Sequence, residues 1–294
     1  MACISGVRMV VTLLLENSPF AFTFLAVLLG FLIGSFLNVV IHRLPIMLER
    51  EWRAEYAPEL ASEERFDLVM PRSRCPHCGH AITAFENIPI ISYLMLRGRC
   101  SNCHARISPR YVAVETLTGL LSGVVAWHFG FSVEAFGGLL LTWGLIALAG
   151  IDIETQLLPD RITLPVLWLG LLFNTQGVFT DLRSAVIGAA MGYLSLWLVY
   201  QLFKLATGKE GMGYGDFKLY ALIGAWLGWQ QLLVVILLAS GVGAAVGMAL
   251  LGLKRIAHVD VPVPFGPFLA AAGWIALIWG HPLVTAYLSI STTH

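Results

Sequence analysis

GGLLLTWGLIALAGID (Gly137–Asp152) and GMGYGDFKLYALIGAWL (Gly211–Leu227) are the stretches on which the reading of this chain turns. In the first, an apolar run ends on Asp152; in the second, three alternating glycines lead to Asp216, just before the apolar run Phe217–Leu227. Burying a carboxylate near lipid is costly, so acids at the ends of membrane segments are functional candidates by default. Two carboxylates that share one proton can activate water. The pattern therefore raises the question of whether the fold brings these two acids together.

Outward from these stretches the composition sets the class. The chain has 294 residues, 57% hydrophobic and 12% charged, with mean hydropathy +0.78. A soluble domain would carry about 25% charged residues. Formal net charge is zero, which gives no bulk electrostatic case for a nucleic-acid partner. Several apolar runs approach or exceed the ~20 residues that cross a bilayer. The expected fold is an all-α polytopic membrane protein with about eight transmembrane helices, near 18–41, 112–130, 134–151, 162–179, 184–206, 217–229, 231–253 and 266–288. The sixth is short, and so is tilted, partly re-entrant or fused with its neighbour. The first run is too long for a secretory signal and no small-residue cleavage site follows it, so it is read as an anchor.

Lysine and arginine orient the bundle. One side holds Arg43, Arg50, Arg53, Arg99, Arg106, Arg110, Arg161, Lys204, Lys209, Lys218, Lys254 and Arg255, the other only Arg8 and Arg183. The first side is therefore expected to be cytoplasmic. The third helix exits and the sixth enters there, so Asp152 and Asp216 are expected at similar depth. The domain plan is an N-terminal segment with the first helix (1–41), a cytoplasmic insert (42–111) and a membrane core (112–294).

The insert opens with a stretch rich in Glu and Arg (Glu49–Asp67), readable as a solvated helix. It then carries Cys75-Pro-His-Cys78 and, after 21 intervening residues, Cys100-Ser-Asn-Cys103. Two such pairs converge on one tetrahedral zinc, and a reducing cytoplasm favours metal over disulfides. Four thiolates close the coordination, so Cys75, Cys78, Cys100 and Cys103 are assigned a structural zinc, and His77 and His104 are left as surface residues. Cys3 stands alone and is assigned nothing.

The other acids have simpler explanations. Asp160 precedes a helix start and reads as an N-cap. Glu154 reads as an exposed interfacial charge. Asp216 also precedes a helix, but an N-cap does not require Gly211, Gly213 and Gly215. Those glycines permit positive φ and close approach of another chain, so Gly213 and Gly215 are candidate substrate-binding positions. Asp152 lies at a helix C-terminus, where the macrodipole disfavours negative charge. The Gly208-Lys209-Glu210 segment lacks the context of a phosphate-binding loop. Gly30/Gly34, Gly188/Gly192 and Gly243/Gly247 have the spacing of close helix packing.

Taken together, the chain resembles the type 4 prepilin peptidase family, the GxGD membrane aspartyl proteases of bacteria. The resemblance rests on Gly34-Ser-Phe-Leu-Asn-Val-Val-Ile-His-Arg-Leu-Pro45, the two Cys pairs flanking Asn87-Ile-Pro89 and Leu96-Arg-Gly-Arg-Cys100, and Ile107-Ser-Pro-Arg-Tyr111 with Glu115. It continues through Asp152, Leu157-Leu-Pro-Asp160 and Gly213-Tyr-Gly-Asp216. Val112 departs from the pattern, standing where the family usually has proline.

The resemblance implies a bifunctional enzyme of the bacterial inner membrane with its active site facing the cytoplasm. It would remove the basic leader of type IV prepilins or type II secretion pseudopilins after a glycine. It would then N-methylate the new terminus with S-adenosylmethionine. The family's catalytic aspartates correspond to Asp152 and Asp216. No dinucleotide-type glycine fingerprint marks a donor site; the zinc-bearing insert and the conjunction of Glu115 with the end of the first helix are the places considered for it. The implied partners are pilin precursors and the lipid bilayer. A protease without methyl transfer, and a proton-coupled transporter using the same two acids, are the alternatives.

Overall fold

The computed structural model describes residue 16, residues 18–56, 65–83, 86, 88–253 and 264–291. Cys3, Arg8, Asn87, Lys254 and Arg255, named above, lie outside the described residues, as do residues 57–64 of the Glu- and Arg-rich stretch. Among the described residues the regular structure is helical: α1 (Pro19–Tyr56), the short α2 (Ile91–Met95), α3 (Pro109–Phe129), α4 (Val133–Thr155), α5 (Asp160–Asn174), α6 (Leu182–Thr207), α7 (Tyr214–Leu227), α8 (Leu232–Gly252) and α9 (Gly266–Ser291). Two isolated β-bridges are the extended pairing present. Every segment expected to be a membrane helix coincides with a helix. Five of the helical stretches are long and apolar enough to cross a membrane: α1, α3, α4, α6 and Trp229–Leu250. Leu194, Leu198 and Leu202 on α6 and Leu233 and Leu237 on α8 are exposed. Such continuous apolar surface is foreign to a soluble monomer and natural against lipid. The chain is an all-α, multi-pass membrane protein.

The chain divides into two compact units at Ala135/Phe136. In the first, α1 continues 15 residues past its expected end at Ile41, to a length of about 57 Å at 1.5 Å per residue. Beyond Pro45 it is built of good helix formers, and Arg53 pairs with Glu49 one turn back at 2.6 Å. This part of the solvated helix is present as expected, but joined to the membrane span. Small residues let α1 and α3 interlock. A Cβ on Gly30 would lie 2.8 Å from the Gly119 Cα, and one on Gly34 would lie 2.8 Å from the Glu115 Cα. The Ser108 hydroxyl accepts the Arg110 N–H and Pro109 fills the first helical position, so α3 starts without a proline at residue 112.

The second unit is built around α7. At about 21 Å it is shorter than the ~30 Å hydrocarbon layer, yet every residue from Asp216 to Trp226 is buried except Lys218. Its carbonyl end is closed by Asn174, whose Nδ2 donates to the Ala225 and Trp226 carbonyls at 2.9 Å each. The Asn174 Oδ1 accepts from the Phe179 and Thr180 amides. The first two bonds satisfy carbonyls in the last turn of α7, and the other two tie the loop before α6 to the same side chain. Gly228, at φ 82°, and a 3-10 turn (Trp229–Gln231) then separate α7 from α8, so the sixth helix is distinct from its neighbour. Gly188 and Gly192 of α6 press on the α7 backbone, with Cβ positions 2.4 Å from the Gly224 carbonyl and 2.7 Å from the Tyr220 carbonyl. The third glycine pair differs from expectation. Gly243 makes only ordinary contact with Phe268, and Gly247 faces open space among the described residues, so its spacing reflects no tight helix crossing.

Candidate active site and metal centre

Asp152 lies in the last turn of α4 and is 5% exposed; Asp216 lies in the first turn of α7 and is 8% exposed. The fold brings them together around one side chain: Leu158 packs both on Gly215, the residue before Asp216, and on Gly266, whose amide bonds Asp152. Local chemistry sets each position. Helix α4 stops because Gln156 takes a left-handed conformation, φ 55°, with its N–H on the Asp152 carbonyl at 2.9 Å. The chain then turns back through Leu157 and Leu158. The Leu158 side chain fills the space beside both acids, 2.7 Å from a Cβ built on Gly215 and 3.4 Å from one built on Gly266. From the start of α9, the Gly266 N–H donates to Asp152 Oδ2 at 3.0 Å. A side chain at residue 266 has no room, since its Cβ would stand 2.6 Å from that oxygen.

The glycine loop differs from its expected conformation. None of Gly211, Gly213 and Gly215 has a positive φ. The helix begins at Tyr214 with Gly213 as N-cap in extended backbone, so Gly215 is already helical and Asp216 is not the cap. Gly215 is demanded by the close approach of Leu158. At Gly213, by contrast, the nearest atom to a built Cβ is Asp216 Oδ2 at 3.8 Å, so the backbone there lies open beside the carboxylate. Asp160 also departs from its reading. Pro159 occupies the N-cap, while the Asp160 carboxylate accepts from the Lys218 ammonium at 2.7 and 2.8 Å. Glu154 is exposed, as expected.

In the first unit the four cysteines converge, with all Sγ atoms within 4.8 Å of one another. The Cys75–Cys103 and Cys78–Cys100 separations are 3.8 and 3.9 Å. A tetrahedron with Zn–S bonds near 2.3 Å requires about 3.8 Å between sulfurs, so the donor set fits that ion. Each Cys-x-x-Cys is a tight knuckle of the same form. The Cys75 amide donates to the His80 carbonyl and Gly79 returns to the Cys75 carbonyl; Cys100 and His104 repeat the pattern with Ala105. Gly79 (φ 71°) and His104 (φ 57°) hold the equivalent left-handed positions. His77 and His104 are exposed, in keeping with a four-thiolate set.

Residues 28–129 match the bacterial peptidase A24 N-terminal domain, and residues 139–248 match the type IV leader peptidase family. The chain belongs to the type IV leader peptidase family. Among curated proteins it is similar to the prepilin leader peptidase/N-methyltransferase of Stutzerimonas stutzeri, 57% identical over 94% of this chain and 97% of the relative. The protein of the same name from Pseudomonas aeruginosa is 56% identical over the same shares. That of Aeromonas salmonicida is 57% identical over 95% of this chain and 99% of the relative. No solved structure matches at a significant level.

Three groups escaped the sequence reading. Gly266 is one; its signal was a glycine set between Pro264-Phe265 and Pro267 at a helix start. Glu86 is another: it takes the Ser101 hydroxyl and the Thr83 N–H and hydroxyl, and lies 3.3 Å from His80 Nε2. Ser101 lies inside one knuckle and His80 just after the other, so Glu86 clips the two together. The Ser101 hydroxyl and the Thr83 N–H and hydroxyl hold its carboxyl down at about 2. Leu158 is the third, an apolar residue whose role depends wholly on the turn at Gln156.

Proposed function

We propose that this chain is a prepilin leader peptidase/N-methyltransferase whose peptidase centre is the Asp152/Asp216 pair. The observation that carries the reading is that two buried carboxylates, 64 positions apart in sequence, meet in one site with a backbone donor on one of them. Adjacent buried carboxylates hold one proton between them, because two neighbouring charges away from water are costly. The ionised partner takes a proton from water, while the protonated partner polarises the scissile carbonyl. The resulting hydroxide attacks that carbon, and the proton then passes to the leaving amine. Helix dipoles favour the charge on Asp216, near a helix start, while the Gly266 N–H favours it on Asp152, and the pair shares the proton as the roles exchange during turnover. Gly213 offers the open backbone edge along which an extended substrate lies, and Gly215, packed on Leu158, lets the helix start close beside it.

The substrates are type IV prepilins or type II secretion pseudopilins, cut after a glycine. Their basic leaders stay in the cytoplasm and their apolar segments lie in the bilayer. This places the scissile bond at the cytoplasmic face of the bacterial inner membrane, the side that lysine and arginine assign to both acids. The four cysteines hold a structural zinc, with closed coordination and no open position for chemistry. S-adenosylmethionine supplies the methyl group when bound. The cleft beside Ser35 and Pro89, about 240 Å³, is below the ~300–1,000 Å³ of sites that enclose a drug-sized ligand, so it does not fit this donor whole.

Co-expression with a prepilin tests the reading. Leader loss on a gel together with a terminal mass increased by one methyl group is the expected outcome. An intact precursor beside well-inserted enzyme would refute it.

A further inference from the structure

Glu115 is a buried carboxylate in a membrane helix that the peptidase mechanism does not use. It is 8% exposed, and its partners are the Ile90 N–H at 2.9 Å and the Ser35 hydroxyl, neither of which carries a charge. Ile90 sits at φ 60°, a conformation a β-branched residue seldom adopts, and the bond to Glu115 helps to hold it there. One turn away, Asn38 is 4% exposed. Its side chain bonds to the Tyr111 carbonyl at 2.9 Å. A carbonyl can only accept, so the atom facing it is the Asn38 NH2, and the remaining atom is the amide oxygen. That oxygen is buried with no partner. The Tyr111 carbonyl lies one helical turn before Glu115 on α3, and Asn38 lies about one turn after Ser35 on α1, so Asn38 packs one turn from Glu115.

A buried carboxylate and an orphan amide oxygen about one helical turn apart suit a donor with positive charge and several N–H bonds. An ammonium group supplies both. A cleft lies next to this place, lined by Leu32, Ser35, Phe36, Val39 and Pro89; Glu115 sits behind that lining, bonded to the Ser35 hydroxyl and to the amide of Ile90, the residue after Pro89. Leu32 and Phe36 are exposed on the apolar part of α1, so the cleft opens sideways to the lipid-facing surface. Its chemistry suits a chain terminus that pairs a free amine with an apolar side chain and an apolar segment lying in the bilayer.

We infer that Glu115 and Asn38 bind the free α-ammonium of the cleaved pilin, and that Glu115 takes its proton. The N–H bond breaks, the proton goes to the carboxylate, and the terminus is left as a neutral amine with its lone pair free to act as a nucleophile. This inference rests on the function proposed above and assigns the acceptor half of the second reaction to the first unit of the chain.

The test uses the full chain in nanodiscs and two synthetic peptides of one sequence, each beginning with phenylalanine followed by an apolar segment. One has a free amine and the other is N-acetylated. Wild type is expected to bind the free-amine peptide about thirtyfold or more tightly than the acetylated one, the size expected when a buried charge loses its partner. Glu115→Gln is expected to remove this preference and Asn38→Leu to reduce it. Equal dissociation constants for the two peptides on wild type would overturn the inference, and this comparison stands even if either variant fails to fold. Leader removal by wild type in the same nanodiscs reads the peptidase proposal by itself, so the two can fail separately.

Discussion

The Gly266 amide donates to Asp152 Oδ2 at 3.0 Å across 114 residues of chain. Helix α9 thus completes a site whose acids come from α4 and α7. A backbone donor holds the carboxylate in place without adding a group that titrates, and the missing side chain leaves the oxygen room.

The carboxylates come first. Asp152→Asn and Asp216→Asn should each lower leader cleavage by at least about a hundredfold, the scale of losing a positioned acid or base. Both variants should remain inserted and monodisperse. Substantial cleavage by either would refute the shared-proton mechanism.

The glycines near the acids should separate by mechanism. Gly215→Ala drives a methyl against Leu158 and Gly266→Ala drives one against Asp152. Each should destabilise by about 1–3 kcal/mol as overpacking, with Gly266→Ala losing more activity than stability. Gly213→Ala meets nothing closer than 3.8 Å, so thermal unfolding should barely move while the KM for prepilin rises. A large fall in melting temperature for Gly213→Ala would contradict an open substrate edge.

Metal analysis of the purified chain should give one zinc, lost on replacing Cys75 or Cys100 with serine. Removing it with a strong chelator should loosen the two knuckles, seen as faster hydrogen exchange at the Cys75, Gly79, Cys100 and His104 amides. Unchanged protection after complete metal loss would show that the Glu86 clip alone suffices.

Asp67 gives a signed pH effect. Its carboxylate accepts the Met70 N–H at 2.6 Å, the Arg65 Nε at 2.7 Å and the Val69 N–H at 2.7 Å. These bonds, with Met70 contributing most, hold it down at about 2. A carboxyl held low when folded contributes stability that is complete above its unfolded value, near 4, and is lost as pH falls through 2. Protection of the Val69 and Met70 amides should therefore fade across that window in wild type. In Asp67→Asn it should be lower and flat. A wild-type profile without slope there would refute the assignment.

How much of this was legible in sequence follows from how local each signal is. The apolar runs placed the helices, and the interfacial position of Asp152 and Asp216 marked both acids. The cysteine spacing gave the knuckles. Helix α1 was cut short at Ile41 because hydropathy ends where a polar, solvated helix begins, and backbone continuity through Pro45 has no hydropathy signal. The alternating glycines suggest positive φ and close approach of a substrate at Gly215, whereas what presses on it is the Leu158 side chain, which reaches it only because Gln156 ends α4 in a left-handed turn. Gly266 was missed because its partner is 114 residues distant. Glu115 stands in a recognisable motif, but its burial among uncharged partners near Asn38 is a matter of packing.

The late arrival of residue 266 has a consequence for biosynthesis. Ribosomes deliver α4 and α7 to the membrane well before α9, so a nascent chain has both acids and lacks the amide that fixes one of them. The order of synthesis thus leaves the positioning of Asp152 as the last step in building this site.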